Sequence, residues 1–113
     1  MAKQPPLTYG QVRDQLARAN LVQNDLLSTV AKRSLFGGTY AVSLVDGQLI
    51  LTKYTTRVLT GLAKRYSKES FTVPPALNPQ GTRLSFQVAG GKVENYTVNQ
   101  ASLPLLQAIL ERF

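Results

Sequence analysis

Apolar residues near the start of the chain recur with the period of an α-helix. Five of them fall on one stripe of a helical projection: Val12, Leu16, Ala19, Leu26 and Val30. Thr8 and Gln11 have the spacing of a capping box, which places the start of the helix at Thr8. The pattern predicts an amphipathic helix over about residues 9–32, within a helical segment at 8–33 that follows an extended arm at 1–7.

Two segments in which polar and apolar residues alternate predict β-hairpins. Their turns are expected at Asp46-Gly47 and Gly90-Gly91. Asp-Gly is a strong hairpin signal because a type I′ turn needs a positive φ at both central residues. Both hairpins begin with Gly-Thr and carry Val-x-Gly at the same offset, so the chain has either a faint internal repeat or two unrelated hairpins.

A second helix is predicted from Thr56 to about Lys68. Its buried side would consist of Val58, Leu59, Leu62, Ala63 and Tyr66. Gly61 weakens this helix, since glycine is a poor helix former. The segment therefore follows the first hairpin as its helical partner.

The remaining elements complete one domain at 1–113. Prolines and a glycine predict a loop at 69–82, and a final apolar stripe predicts a helix at about residues 103–112. We expect an α+β fold in which a long N-terminal helix is followed by two β-hairpin–helix units, at 38–68 and 83–113. Their strands would form a four-stranded antiparallel sheet packed against the helices.

Composition excludes several kinds of chemistry. The chain has no cysteine, so thiolate nucleophiles, disulfides and cysteine metal sites are excluded. It has no histidine, which is the commonest general base and zinc ligand. Its six acidic residues are scattered, and no phosphate-binding P-loop, nucleophile elbow or dinucleotide motif is present. We expect a protein that is not an enzyme and has no cofactor or metal.

Charge points to the kind of partner. Thirteen Lys and Arg residues against six Asp and Glu residues give a net charge of +7. Such a balance is typical of proteins that bind nucleic acid, and it also suits an acidic protein surface. No apolar run is long enough to span a bilayer, and the N-terminus lacks the apolar segment of a signal peptide, so we expect a cytoplasmic protein.

The richest basic segment runs from Lys53 to Lys68 and is the candidate binding site. On the predicted helix, Arg57, Lys64 and Lys68 would form one row of cations suited to phosphates. The complete candidate set adds the neighbouring cations and one aromatic ring that could stack on a base: Lys53, Tyr54, Arg57, Lys64, Arg65 and Lys68. The alternative interpretation of this row is an ordinary solvated helix face.

A second basic group lies on the predicted first helix. It consists of Arg13, Arg18, Lys32 and Arg33, with Asp14 and Asp25 between them. This arrangement favours solubility over a binding site, although it is the next place to look if the first group fails.

Two functional hypotheses follow. The first is a small basic protein that binds single-stranded DNA or RNA with weak sequence specificity, through phosphate contacts and aromatic stacking. The alternative is a structural, assembly or adaptor protein that forms homo-oligomers through its N-terminal and C-terminal helices. The length expected for the first helix, about 35 Å, favours self-association because so long a helix exceeds the size of the globule.

Overall fold

The computed structural model describes residues 8–23, 26–32, 38–54 and 59–113. Two α-helices, seven strands and two 3₁₀ turns make up this part of the chain. In chain order they are α1 (Tyr9–Arg18), β1 (Leu27–Ala31), β2 (Thr39–Val45), β3 (Gln48–Tyr54), β4 (Leu59–Tyr66), a 3₁₀ turn (Lys68–Ser70), β5 (Phe71–Leu77), β6 (Arg83–Val88), β7 (Val93–Val98), a 3₁₀ turn (Gln100–Ser102) and α2 (Leu103–Arg112). The predicted arm at 1–7 lies outside the described residues.

The strands form a single antiparallel sheet in the order β4-β3-β2-β1-β7-β6-β5. The prediction of a long N-terminal helix and a four-stranded sheet is therefore wrong. Two runs of sequential antiparallel strands, β1–β4 and β5–β7, are joined where β1 pairs with β7. That junction consists of the residue pairs Val30–Val98 and Ala31–Thr97.

The first helix ends at Arg18 because the chain turns left-handed two residues later. Asn20 has a φ of 57°. The N–H of Leu21 donates to the carbonyl of Leu16 at 2.8 Å, and the N–H of Asn20 donates to that of Ala17 at 3.1 Å. This is a Schellman motif, which caps the last carbonyls of a helix. The start of the helix is as predicted, since Thr8 and Gln11 form the capping box.

The predicted helix includes Leu27–Ala31, but these residues form β1 because this segment is buried on both sides. Leu26 and Leu27 are adjacent and both buried, yet they belong to different apolar layers. A helix with a single apolar stripe cannot divide neighbouring leucines in this way, whereas an extended chain points successive residues to opposite sides. We call the sheet face with Val42 and Phe86 the inner face and the face with Ile50 the outer face.

The predicted second helix at 56–68 is also wrong. Residues Leu59–Tyr66 form β4, which pairs with β3, while 55–58 lie outside the described residues. The apolar pattern of this segment fits one side of a helix, but Ala63 packs in the outer layer and Tyr66 in the inner layer, because successive positions of a strand alternate between its faces. The short 3₁₀ turn Lys68–Ser70 then leads into β5.

The predicted proline-rich loop at 69–82 contains β5, an edge strand of the sheet. Pro74 and Pro75 lie within it. Proline lacks the N–H that a central strand must donate, but an edge strand has one side with no partner strand. The prolines therefore block the edge against pairing with another chain.

Short connections force the sheet to roll. Although β4 and β5 are the opposite edges of the sheet, they are separated along the chain only by residues 67–70. The rings of Tyr66 and Phe71, at the facing ends of these strands, have centroids 5.3 Å apart. The inner face is therefore enclosed, and α2 packs on it through the buried side chains of Leu106 and Ile109.

The outer face is covered over β1–β3 by α1. Val12 and Leu16 of the helix pack with Leu27, Ala41 and Ile50 of the strands. The strands β1–β3 are thus buried on both faces, and even the polar residues Ser28, Ser43 and Thr52 are buried there. Neither α-helix of the described residues has the length and apolar character needed to cross a membrane.

The left-handed conformation of Asn20 generates a test of the helix end. Replacing Asn20 with Val should lower the free energy of unfolding by about 1–2 kcal/mol, because a β-branched residue pays the steric cost of a positive φ. Asn20→Gly should be nearly neutral. Urea denaturation measures both effects.

Ala19→Val supplies the matched control, since it places the same side chain one residue earlier at a φ of −93°. Equal losses for Ala19→Val and Asn20→Val would contradict the assigned end of the helix.

Candidate functional site

The predicted basic site does not lie on a helix. Lys64 and Arg65 are neighbours on β4, so their side chains lie on opposite faces of the sheet. Cross-strand pairing places Lys64 beside Leu51 on the inner face and Arg65 beside Ile50 on the outer face. Both side chains are exposed because β4 is an edge strand.

Lys68 lies just beyond the end of β4, in the 3₁₀ turn, and is exposed. Its neighbour Glu69 forms a hydrogen bond with its own backbone N–H and another with Ser67, and these bonds together with the charge of Lys68 lower the pKa of Glu69. The carboxylate therefore stays charged and offsets part of the positive charge at Lys68. Lys64, Arg65 and Lys68 form what we call the edge cluster.

The structure describes the other predicted site residues only in part. Lys53 is half-buried on the inner face, where it pairs across strands with Tyr40. Tyr54 ends β3, and the placement of its ring is outside what the structure describes. Arg57 also lies outside the described residues. The edge cluster is thus the part of the predicted site whose side chains the structure describes as exposed.

The second basic group is largely engaged with acids. Arg13 lies 3.8 Å from the carboxylate of Asp14. Lys32 contacts Glu94 at 2.5 Å, and its Nζ lies 5.8 Å from the centroid of the Tyr96 ring. Arg33 is outside the described residues. Two members of this group therefore already have partners that neutralise them.

Aromatic residues of the strands pack on one another inside the rolled sheet. Phe86 is 1% exposed, and its ring centroid lies 5.9 Å from that of Tyr66, 5.4 Å from that of Phe71 and 5.6 Å from that of Tyr96. Tyr40 meets Tyr96 edge to face at 5.4 Å. These rings serve as core and do not form an open stacking platform. The sequence indicated this for Phe86 but left Tyr96 ambiguous.

Burial also alters the ionisation of two tyrosines in this core. Desolvation raises the pKa of Tyr96 and of Tyr66, and the nearby charge of Glu94 raises both further. In the folded protein these phenols stay neutral at a pH where they would ionise in the unfolded chain. Their stabilising contribution is complete below the ordinary pKa of 10.0 and is lost as the pH rises above it.

Comparisons of the chain with protein-family models, curated proteins and solved structures find no significant match. Within the residues that the structure describes, no group of three or more acidic side chains could hold a metal ion.

The buried tyrosines give a testable pH dependence. In the wild-type protein, tyrosinate absorbance should include a component that titrates above the ordinary pKa of 10.0, and Tyr96→Phe should remove part of it. The same variant should lose less stability than wild type between neutral pH and pH values above about 10, because one raised phenol is gone. Loss of a component that titrates at the ordinary tyrosine pKa would contradict the burial of Tyr96.

Proposed function

We propose that the protein binds single-stranded nucleic acid with weak sequence specificity, as a cytoplasmic protein without enzymatic activity. The observation that carries this proposal is an excess of unneutralised cations on the surface. Within the described residues, seven exposed cations make no salt bridge: Arg18, Lys64, Arg65, Lys68, Arg83, Lys92 and Arg112. Phosphates are the partner that such a surface attracts most strongly.

The edge cluster is the proposed phosphate-contacting surface. Two cations leave β4 in opposite directions, so a strand of nucleic acid that follows the free edge of the sheet can be contacted from both sides. Lys68 follows in the 3₁₀ turn that leads to β5, where it is exposed beside Phe71 and Phe113. Single strands suit such an edge better than a duplex, because the edge cluster lies on a strand and a turn and not on a helix that could enter a major groove.

The two helices do not support the alternative, which is assembly of homo-oligomers through them. The first helix has ten residues and packs on the outer face, so its length does not exceed the globule. The second helix buries Leu106 and Ile109 in the protein's own core. Self-association remains a prediction, without the long free helix that suggested it.

Salt dependence tests the proposal. Each phosphate contact should contribute about −0.7 to the slope of log affinity against log salt for a single strand. The double variant Lys64→Gln/Arg65→Gln should flatten this slope by about 1.4 and leave base preference unchanged. Fluorescence titration of a labelled single-stranded oligonucleotide at several salt concentrations measures both quantities.

The matched control is Lys92→Gln/Arg112→Gln, which removes two exposed cations from the β6–β7 turn and the end of α2. It should leave the slope unchanged. No oligonucleotide binding at low salt would reject the proposal. Equal flattening by both variants would reject the edge cluster, and aggregation of the first variant with an unchanged slope would mean that its charges only protect the sheet edge.

A further inference from the structure

A second surface, on the outer face away from α1, has the features of a ligand site. Two adjoining pockets of about 430 Å³ each lie over β6, β7 and β1 and share Thr97. The first, which we call the Arg83 pocket, is lined by Asn78, Thr82, Arg83, Asn95, Tyr96 and Thr97. Neither α-helix contributes a residue to its lining.

The loop before β6, which contributes Asn78 and Thr82 to the pocket, is held in place by its own hydrogen bonds. The side-chain carbonyl of Asn78 accepts hydrogen bonds from the N–H groups of Thr82 and Arg83, at 2.8 and 2.9 Å. Its Nδ2 donates to the hydroxyl of Thr82 at 2.9 Å. Gly81 permits the turn with a φ of 70°, and a Cβ there would come within 2.9 Å of Leu103. The loop is therefore fixed both to itself and to α2.

Two side chains of the pocket keep donors that the described residues do not use. The Thr82 hydroxyl accepts from Asn78, so its own proton is available to donate outward. Asn95 accepts from the Ser85 hydroxyl at 2.7 Å through Oδ1, which leaves both protons of its Nδ2 unused among the described residues. The pattern is that of a site prepared for an acceptor-rich group.

Arg83 supplies the charge. It pairs across strands with Thr97, which places both side chains on the same face. Within the described residues Arg83 makes no salt bridge, and no carboxylate lines the pocket. A guanidinium, an amide and hydroxyl groups thus surround one concave space, with no negative charge beside them.

We infer that the Arg83 pocket binds a phosphate group carried by a small organic molecule. Guanidinium donors form charge-assisted bonds with phosphate oxygens, and Asn and Thr donors from other directions suit a tetrahedral oxyanion. The pocket is within the usual range of volumes for small-molecule sites, so it has room for the organic part of a phosphate ester as well. This inference does not depend on nucleic-acid binding at the edge cluster.

Backbone amide shifts in nuclear magnetic resonance spectra test this directly, with ribose 5-phosphate, inorganic phosphate and ribose as probes. Both phosphates should produce saturable shifts at Thr82, Arg83 and Asn95, and ribose should produce none. Arg83→Gln should weaken phosphate binding about tenfold or more, because it removes a charge-assisted hydrogen bond. Asn95→Asp, which is nearly isosteric, should abolish binding by adding a negative charge.

Lys92→Gln is the control for net charge, since it removes one exposed cation outside the pocket lining and should leave the affinity unchanged. Shifts that persist in Arg83→Gln, or equal shifts with ribose, would overturn the inference. The inference would also be overturned if an oligonucleotide without terminal phosphates shifted these residues while ribose 5-phosphate and inorganic phosphate did not. The salt slope of oligonucleotide binding reports separately on the edge cluster.

Discussion

The inner face of the sheet closes around Phe86. Its ring contacts aromatic rings from β4, β5 and β7, so it joins the two edges of the sheet to its centre. Burial of one large aromatic side chain is worth several kcal/mol, and its aromatic pairs add to this value. The short connection between β4 and β5 brings the sheet edges together, and rolling also removes from water the part of this apolar face that α2 does not cover.

Rolling explains where polar and charged surface remains. The strands β1–β3 are buried on both faces, because α1 covers their outer side. Among the described residues, the layer buried under α1 contains none from β5–β7. The outer side of β5–β7 carries the Arg83 pocket together with exposed Val73 and Val93. The free edge of β4 carries Lys64 and Arg65. Two separate polar surfaces, an edge and a pocket, therefore follow from the way the apolar residues are enclosed.

Local signals in the sequence predicted local structure well. The turn at Asp46-Gly47 forms with φ values of 51° and 77°, and the capping box at Thr8 and the helix at Leu103–Arg112 are present as predicted. These features depend on a few adjacent residues whose backbone preferences are specific. The predicted turn at Gly90-Gly91, between β6 and β7, is also confirmed. It too depends on the backbone preferences of adjacent residues.

Elements whose identity depends on distant partners were predicted wrongly. Leu26 and Leu27 are divided between two layers that exist only once β2 and α1 are in place. Asn20 could have indicated the helix end, since asparagine adopts positive φ more readily than other residues with a side chain.

The candidate site could also be predicted only in part. The basic residues between Lys53 and Lys68 could be found by charge alone. Their arrangement on an edge strand could not, because the spacing of Arg57, Lys64 and Lys68 favours a helix and the pairing of β4 with β3 depends on residues distant in sequence. The Arg83 pocket brings together Asn78, Arg83 and Asn95, which lie in a loop and two strands and share no sequence motif. Its donor character depends on which hydrogen bonds form in the fold, and only the structure specifies those.

Contacts between aromatic rings test most directly whether the sheet rolls around Phe86. Nuclear Overhauser effects should connect the ring protons of Tyr66 with those of Phe71 and Phe86, whose centroids lie 5.3 and 5.9 Å away. Amide effects along residues 59–66 should show the sequential pattern of an extended strand paired with β3. A helical pattern over these residues, with no contact between Tyr66 and Phe86, would contradict the account.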